Sequence, residues 1–214
     1  MNVTNVIIEL FKGFGMSVAI FFATLAISIP LGLVFAFLQR SKFKPISAVM
    51  DAFIWVISGT TLMLQIMVVF YVPGLLDWGV SIKSEFVSVL IAFSINYACY
   101  FSVIYKGGIN SVAKGQYEAC QVLGMTKSQT FFRVVFPQVY KNILPPMSNE
   151  IITLVKDTSL ANIIGLSELI FVGKQMLNKG YLVPFFSTAL FYLVFVGILT
   201  ILFGYLEKRT QRYR

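Results

Sequence analysis

Long apolar runs separated by short polar stretches pattern this chain from end to end. A membrane crossing needs about 20 mostly apolar residues. Runs of that kind cover 15–38, 54–72, 86–105 and 182–206. A weaker one covers 143–154 and continues, after a polar patch, through 160–172. The pattern predicts five transmembrane helices, the 143–172 region being a span followed by a short helix or re-entrant piece. Residues 1–214 read as one all-α integral membrane domain, without soluble linker, low-complexity tract or internal repeat.

One internal stretch breaks the pattern. KGQYEACQVLGMTKSQTFFRVVFPQV, residues 114–139, favours helix at both ends but is too polar to cross lipid. Gln116 to Leu123 predicts two helical turns, ended by Gly124, which is free to turn left-handed. Thr126 or Ser128 can cap a second helix, in which Phe131, Val134 and Val135 follow helical spacing. Pro137, and then Pro145-Pro146, bend or restart the chain as it returns to lipid. The product is a helix–turn–helix knob outside the membrane. It suits gripping a partner; it equally suits an amphipathic surface helix lying on headgroups.

Composition strengthens the membrane reading. Apolar residues make up 57% of the 214 positions and charged ones 12%, with mean hydropathy +0.81. A soluble domain carries roughly 25% charged residues. The net charge of +8 is spread over short loops, which is a topology signal rather than a nucleic-acid patch. Histidine is absent, removing the commonest metal ligand and proton shuttle. Cys99 and Cys120 show neither disulfide nor metal spacing, so both read as small packing residues and no metal is expected. The N-terminus lacks a basic start and a small-residue cleavage site.

Cation placement gives orientation. Arg40, Lys42 and Lys44 fill the first loop; Lys106, Lys114, Lys127, Arg133 and Lys141 fill the polar stretch; Lys208, Arg209, Arg212 and Arg214 fill the tail. The other side holds only Lys12, Lys83, Lys156, Lys174 and Lys179 of the 17 cations. The N-terminus is therefore expected outside, with the C-terminus and the 106–141 segment in the cytoplasm.

Ionisable groups within a span are candidate sites. In NEIITLVKDTS, Glu150, Thr153 and Asp157 share one helical face, with Asn149, Thr153 and Lys156 on a neighbouring stripe. Two carboxylates beside an ammonium suit a zwitterion. Alternatively, Lys156 and Asp157 sit at the outer interface, solvated or paired with loops. Asn96 and Tyr100 are four residues apart on one face of the third span; an amide there needs either a neighbouring helix or a substrate. Phe and Tyr are abundant, but as lipid-facing and packing residues rather than an aromatic cage.

YEACQVLGMTKSQTFFRVVFPQ resembles the EAA loop of ATP-binding-cassette (ABC) importer permeases, met here by Glu118, Ala119, Gly124 and Pro137, with Cys120 in place of a second Ala. The stretches 58–74, 94–116 and 144–170, the last reading LPPMSNEIITLVKDTSLANIIGLSELI, resemble the polar-amino-acid subfamily in collinear order. This chain departs at Ser58-Gly59-Thr60-Thr61, where the subfamily commonly has Arg-Gly-Thr-Pro. It departs again at Val103 and Lys106, where a Glu and an Arg are frequent. The loss of that charge pair weakens any transfer of one member's ligand preference.

The resemblance implies a type I importer permease fold with a cytoplasmic coupling helix. Glu118, Ala119, Gly124 and Met125 would meet the ATPase. Asn96, Tyr100, Glu150, Thr153, Lys156, Asp157, Thr158 and Ser159 would line a substrate site, completed by Thr61, Leu64 and Gln65 of the second span. It also implies a bacterial plasma-membrane location, two ATPase subunits that bind ATP and Mg, a second permease subunit (identical or a paralogue) and an extracellular amino-acid-binding protein. The chain itself would bind no cofactor and catalyse nothing, having no G-x-x-x-x-G-K-[ST] phosphate loop. Two alternatives are weighed beside it. A proton-coupled transporter would use Glu150 and Asp157 as carriers; an intramembrane enzyme would need a catalytic set that the sequence does not offer.

Overall fold

The computed structural model describes residues 3–76 and 84–211, so Lys83, Arg212 and Arg214 of the charge pattern lie outside the described residues. The described elements are helical: α1 (Val3–Gln39), α2 (Lys44–Gly59), α3 (Leu62–Leu75), α4 (Glu85–Asn110), α5 (Lys114–Val122), α6 (Lys127–Thr130), α7 (Phe136–Asp157), α8 (Leu169–Asn178) and α9 (Leu182–Gln211). A π-helical turn, Phe131–Val135, leads into α7, and a 3₁₀ segment, Thr158–Ile164, follows it.

By length and composition, α1, α4 and α9 can each cross a membrane; counting two bent helix pairs as one span each raises the number to five. The first span is longer than the apolar run suggested. Its 37 residues rise about 55 Å, nearly twice the hydrocarbon thickness. Lys12, expected outside, lies on this helix and pairs with Glu9 at 3.3 Å.

The second span, 54–72 by sequence, is not one helix: α2 and α3 meet at a 103° bend. Thr60 and Thr61 are both extended, with ψ of 153° and 136°. Each helix alone is too short to cross, so the break must be satisfied internally. Thr60 Oγ1 donates to Val56 O at 3.0 Å, and the Gln65 amide donates to Ile57 O and Thr60 Oγ1, both at 2.8 Å. The polar side chains of the bend thus replace part of the lost helical ladder.

Helix α4 is the hub, buried along much of its length between α1, α3 and α7. Its apolar core joins Phe93 and Phe101 to Ile20 and Phe21 of α1, Ile66 of α3 and Leu154 of α7. Lipid gives no hydrophobic drive between helices, so close backbone approach must supply the packing. Gly32 provides it, since a Cβ there would stand 2.8 Å from Phe101 Cβ and 2.9 Å from Ala98 O. At one end of the bundle, Asp51 of α2 accepts from Gln39 and from Lys106, each at 2.8 Å. Lys106 therefore keeps an acidic partner, supplied by α2 rather than by position 103.

Candidate functional site: a polar patch between α4 and α7 and a protruding elbow

Asp157 is the last residue of α7, where the chain tightens into the 3₁₀ segment. Its Oδ2 accepts from the Tyr97 hydroxyl at 2.7 Å, a bond joining α7 to α4. Glu150, two turns earlier on α7, is within electrostatic reach of Asp157, Tyr97 and Tyr100. The structure thus gathers Tyr100, Glu150 and Asp157 into one half-buried patch, with Lys156 as the cation Asp157 feels. The remaining hydroxyls turn back on their own chain. Thr153 donates to Asn149 O, Thr158 to Val155 O and Ser159 to Lys156 O, at 3.0, 2.7 and 2.7 Å.

Asn96 is buried and donates to Gln65 Oε1 at 3.0 Å, so α4 is tied to the bend between α2 and α3. Leu64 and Gln65 line an apolar cavity of about 230 Å³ with Ile57, Thr60 and Ile95, among others. Thr61 stands exposed at the bend and caps nothing with its side chain. The candidate residues therefore form two groups, an acidic one on α7 and an amide one at the α2–α3 bend, and α4 is bonded to both.

Two polar residues at this level escaped the sequence reading. Tyr97 is 2% exposed and its ring packs edge-on or tilted against Phe93, Tyr100 and Phe101. It lay between the two residues chosen for facing together, and only the fold shows that its hydroxyl reaches Asp157. Glu168 is fully buried, caps α8 by accepting from Ile170 N and Phe171 N at 2.7 Å, and receives the Tyr192 hydroxyl at 3.2 Å. An acid just ahead of the apolar run Leu169–Val172 was the available signal.

The knob is built as its residues dictate. Helix α5 ends in a two-bond cap: Met125 N donates to Cys120 O and Gly124 N to Gln121 O, both at 3.0 Å. Gly124 takes φ +68° there, as glycine permits. Of the two candidate caps for the next helix, Thr126 serves: its hydroxyl accepts from Gln129 N, while the Gln129 side chain accepts from Thr126 N. The π-helical turn then lets Phe136 N reach Phe131 O, just before Pro137, whose ring would crowd a regular turn. Glu118, Ala119 and Gly124 are exposed, Met125 is half-buried, and Cys120 packs inside. Val122 and Leu123 at the tip are 88% and 77% exposed.

The chain has relatives by sequence and by fold. The chain is 37% identical over 188 residues to the L-cystine transport system permease protein TcyB of Bacillus subtilis, covering 86% of this chain and 78% of that one. It is 32% identical over 203 residues to the arginine transport system permease protein ArtQ of the same organism, covering 94% and 91%. A crystal structure of an amino acid ABC transporter with histidines superposes with TM-score 0.86 at 30% identity, over 98% of this chain and 100% of that one. The methionine transporter MetNI, facing inward, shares the fold alone, with TM-score 0.70 at 12% identity. Residues 28–212 match the family of binding-protein-dependent transport system inner membrane components, and this chain belongs to that family.

Proposed function

We propose that this chain is the membrane-spanning permease subunit of an ATP-driven importer of amino acids. The observation that carries the reading is the exposed elbow at Gly124 on a chain of this family: two apolar tips, Val122 and Leu123, stand on a polar protrusion beyond the bundle. Unpartnered apolar tips on a rigid turn suit a docking cleft in an ATPase subunit. Glu118, Ala119, Gly124 and Met125 form that contact, and movement of the ATPases reaches α4 and α7 through the π-helical turn. ATP and Mg are bound by two ATPase subunits, and hydrolysis is theirs.

Two permease chains enclose the path by two-fold closure, either two copies or a paralogue pair. The N-terminus lies outside a bacterial inner membrane and the elbow in the cytoplasm, in line with the cation pattern. An extracellular binding protein delivers the amino acid. Within the membrane the α4–α7 patch receives it: Glu150 and Asp157 take its ammonium group, Lys156 its carboxylate, while Asn96, Tyr100, Thr153, Thr158 and Ser159 with Thr61, Leu64 and Gln65 shape the surroundings. The relatives named for amino-acid transport support this choice of cargo. The proton-coupled alternative loses its footing because the family is one of binding-protein-dependent systems.

Uptake of radiolabelled amino acid into cells expressing the whole importer tests the energy source. Arsenate, which depletes ATP, should abolish uptake, and an uncoupler applied with ATP maintained should spare it. Uptake that follows the proton gradient and ignores ATP would overturn the reading.

A further inference from the structure

We infer that Tyr97 is a positioning residue for substrate recognition, acting by holding the Asp157 carboxylate in one orientation. The inference rests on the proposed substrate role of the α4–α7 patch and adds to it a residue that touches Asp157 rather than the cargo.

Asp157 occupies an unfavourable place for an acid. It stands inside a continuous helical stretch, at the point where α7 tightens into the 3₁₀ segment. Its surroundings are half-buried, and Glu150 lies close enough to repel it. Neither helix propensity nor packing favours an aspartate in this position. The Tyr97 hydroxyl is its one hydrogen-bond donor among the described residues, and it engages Oδ2 only. Oδ1 accepts no hydrogen bond from the described residues. Glu150 accepts no hydrogen bond among the described residues.

The two acids therefore differ in kind: one is held by a charge-assisted bond from a clamped ring, the other by no hydrogen bond among the described residues. A fixed acid is the better recognition group, because little rotamer freedom remains to be lost when an ammonium group binds. Tyr97 can hold it so because its own ring is clamped. Phe93, Tyr100 and Phe101 surround it at centroid distances of 6.0–6.4 Å, and the residue is 2% exposed. Removal of the hydroxyl leaves those ring contacts in place, so Tyr97→Phe isolates the bond.

The test is a double-mutant cycle on the purified permease–ATPase complex without its extracellular binding protein. Omitting that protein matters, since its own affinity would otherwise set the apparent affinity of uptake. Equilibrium binding of radiolabelled L-arginine and L-cystine is measured for wild type, Tyr97→Phe, Asp157→Asn and the double variant, and the probe that binds is followed. Tyr97→Phe is expected to weaken binding about tenfold, and Asp157→Asn at least as much. The double variant should bind no worse than Asp157→Asn alone, because the tyrosine acts only through that carboxylate.

Unchanged binding in Tyr97→Phe, with binding lost in Asp157→Asn, overturns the inference and leaves the substrate site standing. Penalties that multiply in the double variant also overturn it. A Tyr97→Phe complex that fails to assemble does the same, since the hydroxyl would then serve the fold. Full binding by Asp157→Asn would sink the substrate role of the patch, and the inference with it.

Discussion

Replacing Gly124 separates backbone conformation from contact. The residue sits at φ +68°, and a Cβ built on it meets nothing within 4 Å. Any penalty for Gly124→Ala therefore comes from the left-handed backbone itself, about 1–2 kcal/mol. At about 1.4 kcal/mol per tenfold, that lowers the closed-to-open ratio of the elbow by a factor of roughly 5–30. The two capping bonds, Met125 N to Cys120 O and Gly124 N to Gln121 O, are lost together when the turn opens. If the ATPase grips only the closed elbow, its affinity for the permease falls by up to the same factor, in full where the variant elbow is mostly open. Titration of labelled ATPase onto permease in nanodiscs reads that affinity directly. Gly124→Asn is the companion variant, because asparagine tolerates this conformation better than alanine. The expected order is Gly, then Asn, then Ala. Alanine binding as tightly as glycine would refute the conformational argument; asparagine binding worse than alanine would show that space at the interface, not φ, is what the glycine supplies.

Two further substitutions probe the bundle. Gly32→Val must push α1 away from α4, because its Cβ would overlap Phe101 and the Ala98 carbonyl; it should cost about 1–3 kcal/mol and lower the thermal transition of the detergent-purified chain, whereas Gly15→Ala, with open space around it, should not. Glu168→Ala removes the cap of α8 and the acceptor for Tyr192, so a loss of about 0.5–2 kcal/mol in the same assay is expected, with faster proteolysis across α8.

Apolar periodicity carried the membrane class and the approximate positions of the crossings, because lipid demands length and composition that few other solvents do. It said nothing of the 103° break inside 54–72. That break leaves the apolar run intact: SGTTLMLQ contains no proline, and Thr60-Thr61 are compatible with a continuous helix by composition. The extended pair is made tolerable by Gln65, whose amide reaches back over the bend, and such long-range satisfaction has no periodic signature. The elbow was legible for the opposite reason. Gly124, Thr126 and Gln129 act within a few residues of one another, so capping rules written for local sequence apply directly.

The same contrast governs the candidate site. Glu150, Thr153 and Asp157 could be placed on one face from α7 alone, because helical spacing needs no knowledge of neighbours. Which partner each would meet depended on how α4 rotates against α7. Asn96 and Tyr100 are one turn apart, and the sequence left Asn96 either a neighbouring helix or a substrate as partner; the structure pairs Asn96 with Gln65 of α3 and brings the adjacent Tyr97 to Asp157. Adjacent residues on a helix point about 100° apart, so Asn96 and Tyr97 face different neighbours by construction. One helix thereby fixes the amide of the α2–α3 bend with one residue and the acid at the end of α7 with the next. On the coupling proposed above, a rotation of α4 driven from the elbow would act on both bonds at once, and α4 would be the element through which force at the elbow reaches the cargo.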